Sequence, residues 1–191
     1  MSDFLALDPR AGGPPGTADG GYACGAIGEL VDGPAEVTLR SPPPLGVPLS
    51  VDFLPGGEID VHDGDTLIMS ARPVDGVDVE PPLRPTLAEA KRRHPGVSAS
   101  VFLPDATVPN RRGVVAPEMV WAALDRDHPG VLARFAVERL DCVEVGEPVI
   151  AIGWQLASEG RKHHTASALL SPDGDVLARA RALWITLRSP R

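Results

Sequence analysis

Two stretches of this chain decide its fold: Asp19-Gly20-Gly21-Tyr22, and Pro117-Glu118-Met119-Val120-Trp121-Ala122-Ala123-Leu124-Asp125. Each begins an apolar segment with helical spacing, and four segments with strand-like alternation follow each of them. Counted from position 21 to position 117, the two helix starts lie 96 residues apart, about half of the 191-residue chain. Internal duplication is the simplest explanation for one unit that appears twice.

The first copy predicts a helix over 21–31, preceded by a Pro- and Gly-rich loop over 8–17 and ended by Gly33-Pro34. Alternation of apolar and polar residues then predicts four strands, over 36–40, 49–53, 58–61 and 66–72. A tight turn at Asp63-Gly64-Asp65 joins the last two strands as an antiparallel pair.

The second copy predicts a helix that begins at Pro117, a residue that suits the first helical position, and that His128-Pro129-Gly130 ends. Strands are predicted over 132–140, 149–156, 163–170 and 176–187, with turns around Gly160 and Gly174. The order of a helix followed by four strands is therefore the same in both copies.

The segment that joins the copies is irregular and longer than a structureless loop in a compact domain. It contains a possible helix over 87–93 and a short apolar run over 101–103. We expect part of it either to cover the functional site or to supply the first strand of the second copy. The expected division is an N-terminal repeat over 1–80, a connector over 81–97 and a C-terminal repeat over 98–191.

Composition excludes several classes of function. A net charge of −8 without a basic run argues against a nucleic-acid groove. No apolar stretch reaches the roughly 18 to 20 residues of a membrane span, and the N-terminus lacks a secretory pattern, so we expect a cytoplasmic protein without a membrane partner. Cys24 and Cys142 stand apart from any metal-binding motif, and we expect two reduced, buried thiols.

The duplication allows a site that neither copy can form alone. Because a helix rises ~1.5 Å per residue, its first amide cannot meet an acid eight residues later on the same helix. Two antiparallel copies can bring the amide of one helix beside the acid of the other. The second copy carries Asp125 in that region, whereas the first reads Gly28-Glu29.

The order and spacing of these segments resemble the hotdog-fold acyl-CoA thioesterases and dehydratases. The resemblance rests on Asp19-Gly20-Gly21-Tyr22 with Leu45, on 117–125, and on the final strands from Ser167 to Trp184. The chain is most similar to thioesterase-like proteins of actinobacterial type that contain two hotdogs. This implies an α+β fold, a tandem (double) hotdog whose two helix-plus-antiparallel-sheet repeats form a pseudo-dimer.

In similar single-hotdog thioesterases, His-Gly-Gly opens the helix, and the site combines this amide with an acid from the other subunit. Here Asp19 stands where that His would be, followed by Gly20 and Gly21. The resemblance implies a catalytic pair in which the Gly21 amide stabilises the oxyanion and Asp125 acts as general base or nucleophile. The symmetry-related pair, the helix start at Glu118 with Glu29, is expected to be degenerate.

Each of these residues also has a purely structural interpretation. Gly20-Gly21 could form only a turn, Asp19 could cap the helix, and Asp125 could belong to a solvated charge cluster. Tyr22 could line an acyl pocket or join the core. His163 and His164 lie on opposite faces of a strand, so one of them could face the ligand, while the neighbouring Arg161-Lys162 could form an edge that faces the phosphates of coenzyme A. The alternative is an exposed polar hairpin. The candidate substrate-binding residues are Asp19, Gly20, Tyr22, His163 and His164.

The resemblance implies an acyl-CoA thioesterase that needs no metal and no cofactor, coenzyme A being part of the substrate. Two alternatives stay open. One is a non-catalytic binder of acyl-CoA or of another hydrophobic ligand, and the other is an acyl thioester dehydratase or hydratase. Paired hotdogs can associate further, so a homo-oligomer is also possible.

Overall fold

The computed structural model describes residues 3–93, 117–125, 130–144 and 146–187. Three α-helices and nine strands lie in these ranges. In chain order they are β1 Asp3–Ala6, α1 Gly20–Gly28, β2 Ala35–Leu39, β3 Pro48–Phe53, β4 Ile59–Asp63, β5 Thr66–Pro73, α2 Leu87–Arg93, α3 Pro117–Leu124, β6 Val131–Arg139, β7 Ile150–Glu159, β8 Lys162–Leu170 and β9 Val176–Ile185. The apolar run over 101–103 lies outside the described residues.

The described strands form one antiparallel sheet in the order β1-β3-β4-β5-β2-β6-β9-β8-β7. Apart from β1, the second half repeats the order of the first half in reverse, so that β2 and β6 pair at the centre with Val37 opposite Phe135. The bend after β2 also recurs after β6, because two successive amides donate to one carbonyl, that of Ile68 in the first copy and that of Leu177 in the second. The predicted succession of a helix and four strands in each copy is confirmed.

Two local predictions were incomplete. Strand β1 was not predicted, since its four residues form a strand only by pairing with β3, with Phe4 opposite Ser50. Helix α1 ends at Gly28 rather than at Val31, because the amides of Leu30 and Val31 donate to carbonyls three residues earlier. This tightening of the last turn is common at helix ends.

Both α1 and α3 lie on one side of the sheet, which we call the inner face, and share one continuous core with strands of both halves. The largest fully buried side chains include Trp121, Phe135, Ile27, Leu49 and Leu124. The Trp121 and Phe135 rings meet edge to face, with centroids 5.7 Å apart. Trp121 and Trp184 are core residues.

The end of the N-terminal repeat and the described part of the connector cover the opposite side of the sheet, which we call the outer face. Val77 and Val79 pack against Ala136 and Ala166, and the half-buried Trp154 contacts the same cluster. Further along the chain, Leu87 and Ala90 of α2 pack against outer-face residues of β7 and β8. The predicted helix over 87–93 is confirmed. Residues 75–93 pack on the outer face, so they neither cover the helix side nor add a strand. Residues 94–116 lie outside the described residues, and the expectation that part of the joining segment covers the site or supplies a strand stays a prediction.

None of the helices in the described ranges is long and apolar enough to cross a membrane. The two longer ones, α1 and α3, run antiparallel, with the first turn of α1 against the end of α3. An ideal Cβ on Gly21 would lie 3.1 Å from the Cα of Ala122, so the helix backbones nearly touch there. This close approach defines the candidate site.

Candidate active site

The N-terminus of α1 is capped by its preceding residue. Asp19 Oδ1 accepts a hydrogen bond from the Tyr22 amide at 2.8 Å, and the Asp19 carbonyl accepts one from the Ala23 amide. The first of these bonds satisfies one of the amides that a helix start leaves without an intrahelical partner, and the second is the first regular hydrogen bond of the helix. The capping interpretation of Asp19 is therefore confirmed, whereas its role in binding a substrate stays a prediction.

The Gly21 amide, in the first turn of α1, donates to a residue from the other half of the chain. The Gly21 N–H donates to Asp125 Oδ2 at 2.8 Å, across 104 positions of sequence. An ideal Cβ on Gly21 would lie 2.4 Å from Asp125 Cβ and 3.0 Å from Oδ2, so only glycine permits this contact. The structure thus brings together the two residues that the sequence nominated as a catalytic pair. Their catalytic role stays a prediction.

Charge and hydrogen bonding favour a carboxylate at this place. The positive end of the α1 dipole points at Asp125, and the Gly21 amide is an oriented donor. Gly20 lies beside them, with an ideal Cβ 3.2 Å from Leu132 Cδ2 and 3.6 Å from Asp125 Oδ2. Leu132 therefore forms an apolar wall next to the pair, which reduces the access of bulk water to the carboxylate.

Sequence reasoning missed one residue that holds Asp125 in place. Ser167 is buried on β8 and donates from its hydroxyl to the Leu124 carbonyl at 2.7 Å. This bond ties the last residue of α3 to the sheet, directly before Asp125. A single hydroxyl within the apolar run 166–170 was the available signal, because buried polar groups in a strand require a partner.

Tyr22 packs against the core and lies half-buried, in agreement with the core interpretation. Its hydroxyl accepts a hydrogen bond from the Asp8 amide at 3.4 Å, which ties the loop before α1 to the helix. Its role in lining an acyl pocket stays a prediction.

The histidines are not brought to the pair. His163 Nδ1 lies 2.6 Å from Ser158 Oγ, and its Nε2 lies 2.9 Å from Thr186 Oγ1. His163 is four residues from Ser167 along β8, a distance of roughly 13 Å at strand spacing. His163 and His164 pair with successive residues of β9, so they point to opposite faces as predicted. Their substrate-binding roles stay predictions.

The symmetry-related carboxylate has different partners. Glu29 Oε1 accepts hydrogen bonds from Trp121 Nε1 at 2.8 Å and from Arg139 Nε at 3.0 Å, while Oε2 accepts from Arg139 Nη2 at 2.7 Å. The side chain of Glu118 lies outside the described residues. The two carboxylates are thus bonded in different ways, Asp125 to a backbone amide and Glu29 to side chains.

The two cysteines differ in exposure. Cys24 is fully buried in α1, and this burial, reinforced by the negative charges of Asp125 and Asp19, raises the pKa of its thiol well above the ordinary value. Cys24 is therefore no nucleophile at neutral pH. Cys142 is exposed, contrary to expectation, because it lies in the loop after β6, where it lines a cavity of about 260 Å³ with Asp141 and Glu144.

We expect one thiol per native chain to react with a disulfide reagent such as dithionitrobenzoate, and two after unfolding in guanidinium. The reactive thiol is the exposed Cys142, since burial and a raised pKa both protect Cys24. A Cys142→Ser variant should lose the native reaction and keep the one seen after unfolding. Rapid native labelling of that variant would contradict the described burial of Cys24.

Within the described residues, no three His, Cys, Asp or Glu side chains come together closely enough to hold a metal ion. The described site offers an oriented amide and a carboxylate, with an apolar wall beside them.

No model of a known protein family matches the chain, and no curated protein matches its sequence. Solved structures are similar over nearly its whole length. The TesB protein of Mycobacterium avium subsp. paratuberculosis has a TM-score of 0.60 at 13% identity, over 95% of this chain and 90% of that one. The 12:0-ACP thioesterase of Umbellularia californica has a TM-score of 0.57 at 12% identity, over 96% and 93%.

A third similar structure is a conserved protein of unknown function from Alicyclobacillus acidocaldarius, described as having the hot dog fold. Its TM-score is 0.58 at 12% identity, and the likeness covers 100% of this chain and 93% of that one. At such identities the likeness speaks for architecture alone. The antiparallel sheet, the helices on its inner face and these full-length likenesses together show that the chain has the α+β hotdog fold.

Proposed function

We propose that this protein hydrolyses acyl thioesters, with acyl-CoA as the expected substrate class, at a single site formed by Gly21 and Asp125. The observation that carries the proposal is the 2.8 Å contact between the Gly21 amide and the Asp125 carboxylate, one from each half of the chain. One of the similar structures, that of Umbellularia californica, is named a 12:0-ACP thioesterase, which supports the same reaction class without identifying residues.

The proposed reaction begins with an exchange of hydrogen bonds. The oxygen of the thioester carbonyl replaces Asp125 as the acceptor of the hydrogen bond from the Gly21 N–H. The Asp125 carboxylate then lies beside the carbonyl carbon. As charge develops on the carbonyl oxygen, the amide and the helix dipole stabilise it. The amide needs no further reorientation, because α1 already holds it in place.

Asp125 then has two possible roles. As general base, it accepts a proton from water while the water oxygen bonds to the carbonyl carbon, and the C–S bond breaks as the thiolate leaves and is protonated. As nucleophile, its own oxygen bonds to the carbonyl carbon and the C–S bond breaks as the thiolate leaves, which forms a mixed anhydride. Water then hydrolyses the anhydride, which releases the carboxylic acid product and restores the Asp125 carboxylate. A single turnover in ¹⁸O-labelled water separates these roles, since only the nucleophilic route can place the label in Asp125.

The proposal includes a cytoplasmic location and no cofactor, coenzyme A being consumed only as part of the substrate. Asp19, Gly20 and Tyr22 are proposed to border the acyl thioester. Because His163 and His164 point to opposite faces of β8, one of them is proposed to face the ligand, away from the pair along the strand, and the neighbouring Arg161-Lys162 is proposed to face the phosphates.

The proposal is tested by incubating the protein with short-, medium- and long-chain acyl-CoAs and following the release of free thiol. The Cys142→Ser variant serves as enzyme, because the exposed Cys142 would itself react with the thiol reagent. We expect saturable hydrolysis of at least one chain length. Absence of release across all three classes would contradict the proposed activity.

One observation favours a second candidate, a non-catalytic binder of acyl-CoA or of another hydrophobic ligand. The Gly21 amide already donates to Asp125, so the contact could serve only to hold the helices together. Calorimetry with the same acyl-CoAs distinguishes the two functions. Binding without turnover would favour the binder.

A further inference from the structure

The two helices fit together at two points. Trp121 and Asp125 are four residues apart, so they leave the same face of α3 one turn from each other. Each meets a glycine of α1. Asp125 lies against Gly21, and the Trp121 ring lies where a Cβ on Gly28 would be, 2.4 Å from Cζ2. The position of Asp125 therefore depends on how Trp121 is seated.

Trp121 is itself held by Glu29. Its buried indole N–H donates to Glu29 Oε1 at 2.8 Å, and Arg139 of β6 binds the same carboxylate through two nitrogens. Glu29 caps the C-terminus of α1, where the helix dipole disfavours a negative charge, so the arginine supplies a needed counter-charge. These three side chains form a brace that joins α1, α3 and the central sheet.

The brace occupies the place of the second site. Position 29 is separated from position 125 by 96 residues, the same spacing as between Gly21 and Pro117. Within the described residues, the Glu29 carboxylate accepts hydrogen bonds from two side chains, Trp121 and Arg139, whereas the Asp125 carboxylate accepts from the Gly21 amide that is proposed to bind the substrate. The two acids at equivalent positions of the repeats therefore differ in their partners: side chains bind Glu29, and a backbone amide binds Asp125.

We propose that Glu29 is a positioning residue: through Trp121 and Arg139 it sets the seating of α3 on α1, and so the distance from the Asp125 carboxylate to the Gly21 amide. The expected effect of Glu29 on turnover rests on the proposed function. The expected effect of Glu29 on the distance between Asp125 and the Gly21 amide does not.

The first test compares turnover in Trp121→Phe and Glu29→Gln with turnover in Glu36→Gln. Trp121→Phe removes the indole donor and keeps an aromatic ring, and Glu29→Gln removes the charge that holds Arg139. Glu36 is the matched control, because it also accepts two hydrogen bonds from one arginine, Arg72, but on the outer face of the sheet.

We expect kcat to fall by about ten- to a hundredfold in both brace variants with KM changed by less than about threefold, since a small displacement at a catalytic pair has an effect of this size. Glu36→Gln should lose comparable thermal stability and retain wild-type kcat. Equal kcat losses in all three variants would contradict the proposal, because they would reflect general destabilisation.

The second test does not need activity. Hydrogen exchange of the Gly21 amide, followed by NMR, reports directly on its bond to Asp125. We expect exchange to become at least about tenfold faster in Trp121→Phe and Glu29→Gln, relative to other amides of α1, and to stay unchanged in Glu36→Gln. Unchanged Gly21 exchange in the brace variants would overturn the proposal. If the wild-type protein hydrolyses no thioester, the proposed function fails while this measurement still decides the role of the brace.

Discussion

Replacement of Asp125 by Asn is expected to lower thioester turnover by at least about 10²- to 10⁴-fold, the range for loss of a general base. Asn keeps the shape of the side chain and an oxygen that can accept from the Gly21 amide, but it can neither take a proton from water nor attack the thioester. The free energy of unfolding should therefore change by less than about 1.5 kcal/mol, the size of one hydrogen bond. Steady-state hydrolysis and urea unfolding measure the two effects.

The control for this variant is Asp173→Asn, which removes the same charge from an exposed turn between β8 and β9. It should retain wild-type activity, since we expect turnover to depend on the carboxylate at position 125 and not on the net charge of the protein. Unchanged hydrolysis in Asp125→Asn would remove Asp125 from the mechanism. Lost hydrolysis accompanied by retained binding of acyl-CoA would agree with a role in the chemical step.

Replacement of Gly21 by Ala is expected to lower the free energy of unfolding by about 1 to 3 kcal/mol and to abolish turnover, because the added Cβ forces two helices apart. The new atom would lie 2.4 Å from Asp125 Cβ, which cannot swing away as the end of a flexible side chain could. Urea unfolding and the thioester assay measure these two losses.

The sign of the change in the free energy of unfolding of Gly21→Ala shows whether the two helices are in contact at Gly21. In a helix free of clashes, alanine is more favourable than glycine by ~1 kcal/mol, so Gly21→Ala would then be stabilising. Gly12→Ala is the control, because Gly12 is exposed and a Cβ there meets nothing within 4 Å. A neutral or stabilising Gly21→Ala would contradict the described contact between α1 and α3.

Much of the fold was predictable because its signals are local. Alternation identified eight strands, those over β2–β5 and β6–β9, and turn residues such as Gly64 and Gly174 separated them. Strand β1 escaped because four residues without a clear pattern become a strand only when β3 supplies the hydrogen bonds. The outer-face position of residues 74–93 escaped for a similar reason, since an irregular segment carries no signal for the face it will cover.

The candidate pair of Gly21 and Asp125 could also be predicted from the sequence, although its catalytic role followed only from the resemblance to the hotdog-fold thioesterases. The helix start at Gly21 and the acid at Asp125 are visible in the sequence, and their meeting follows if the two copies cross. Ser167 and the brace around Glu29 were not found, because their partners lie 43 and 92 to 110 positions away in the chain.

The amino-acid sequence by itself determined the duplicated unit, the helix starts and the alternating strands, since these depend on neighbouring residues and on helical and strand periodicity. Only the tertiary structure decided which duplicated acid faces a backbone amide and which is bound by Trp121 and Arg139. That difference depends on side chains from distant segments that meet only when both helices pack on one sheet, where a missing Cβ at Gly21 and at Gly28 permits contact.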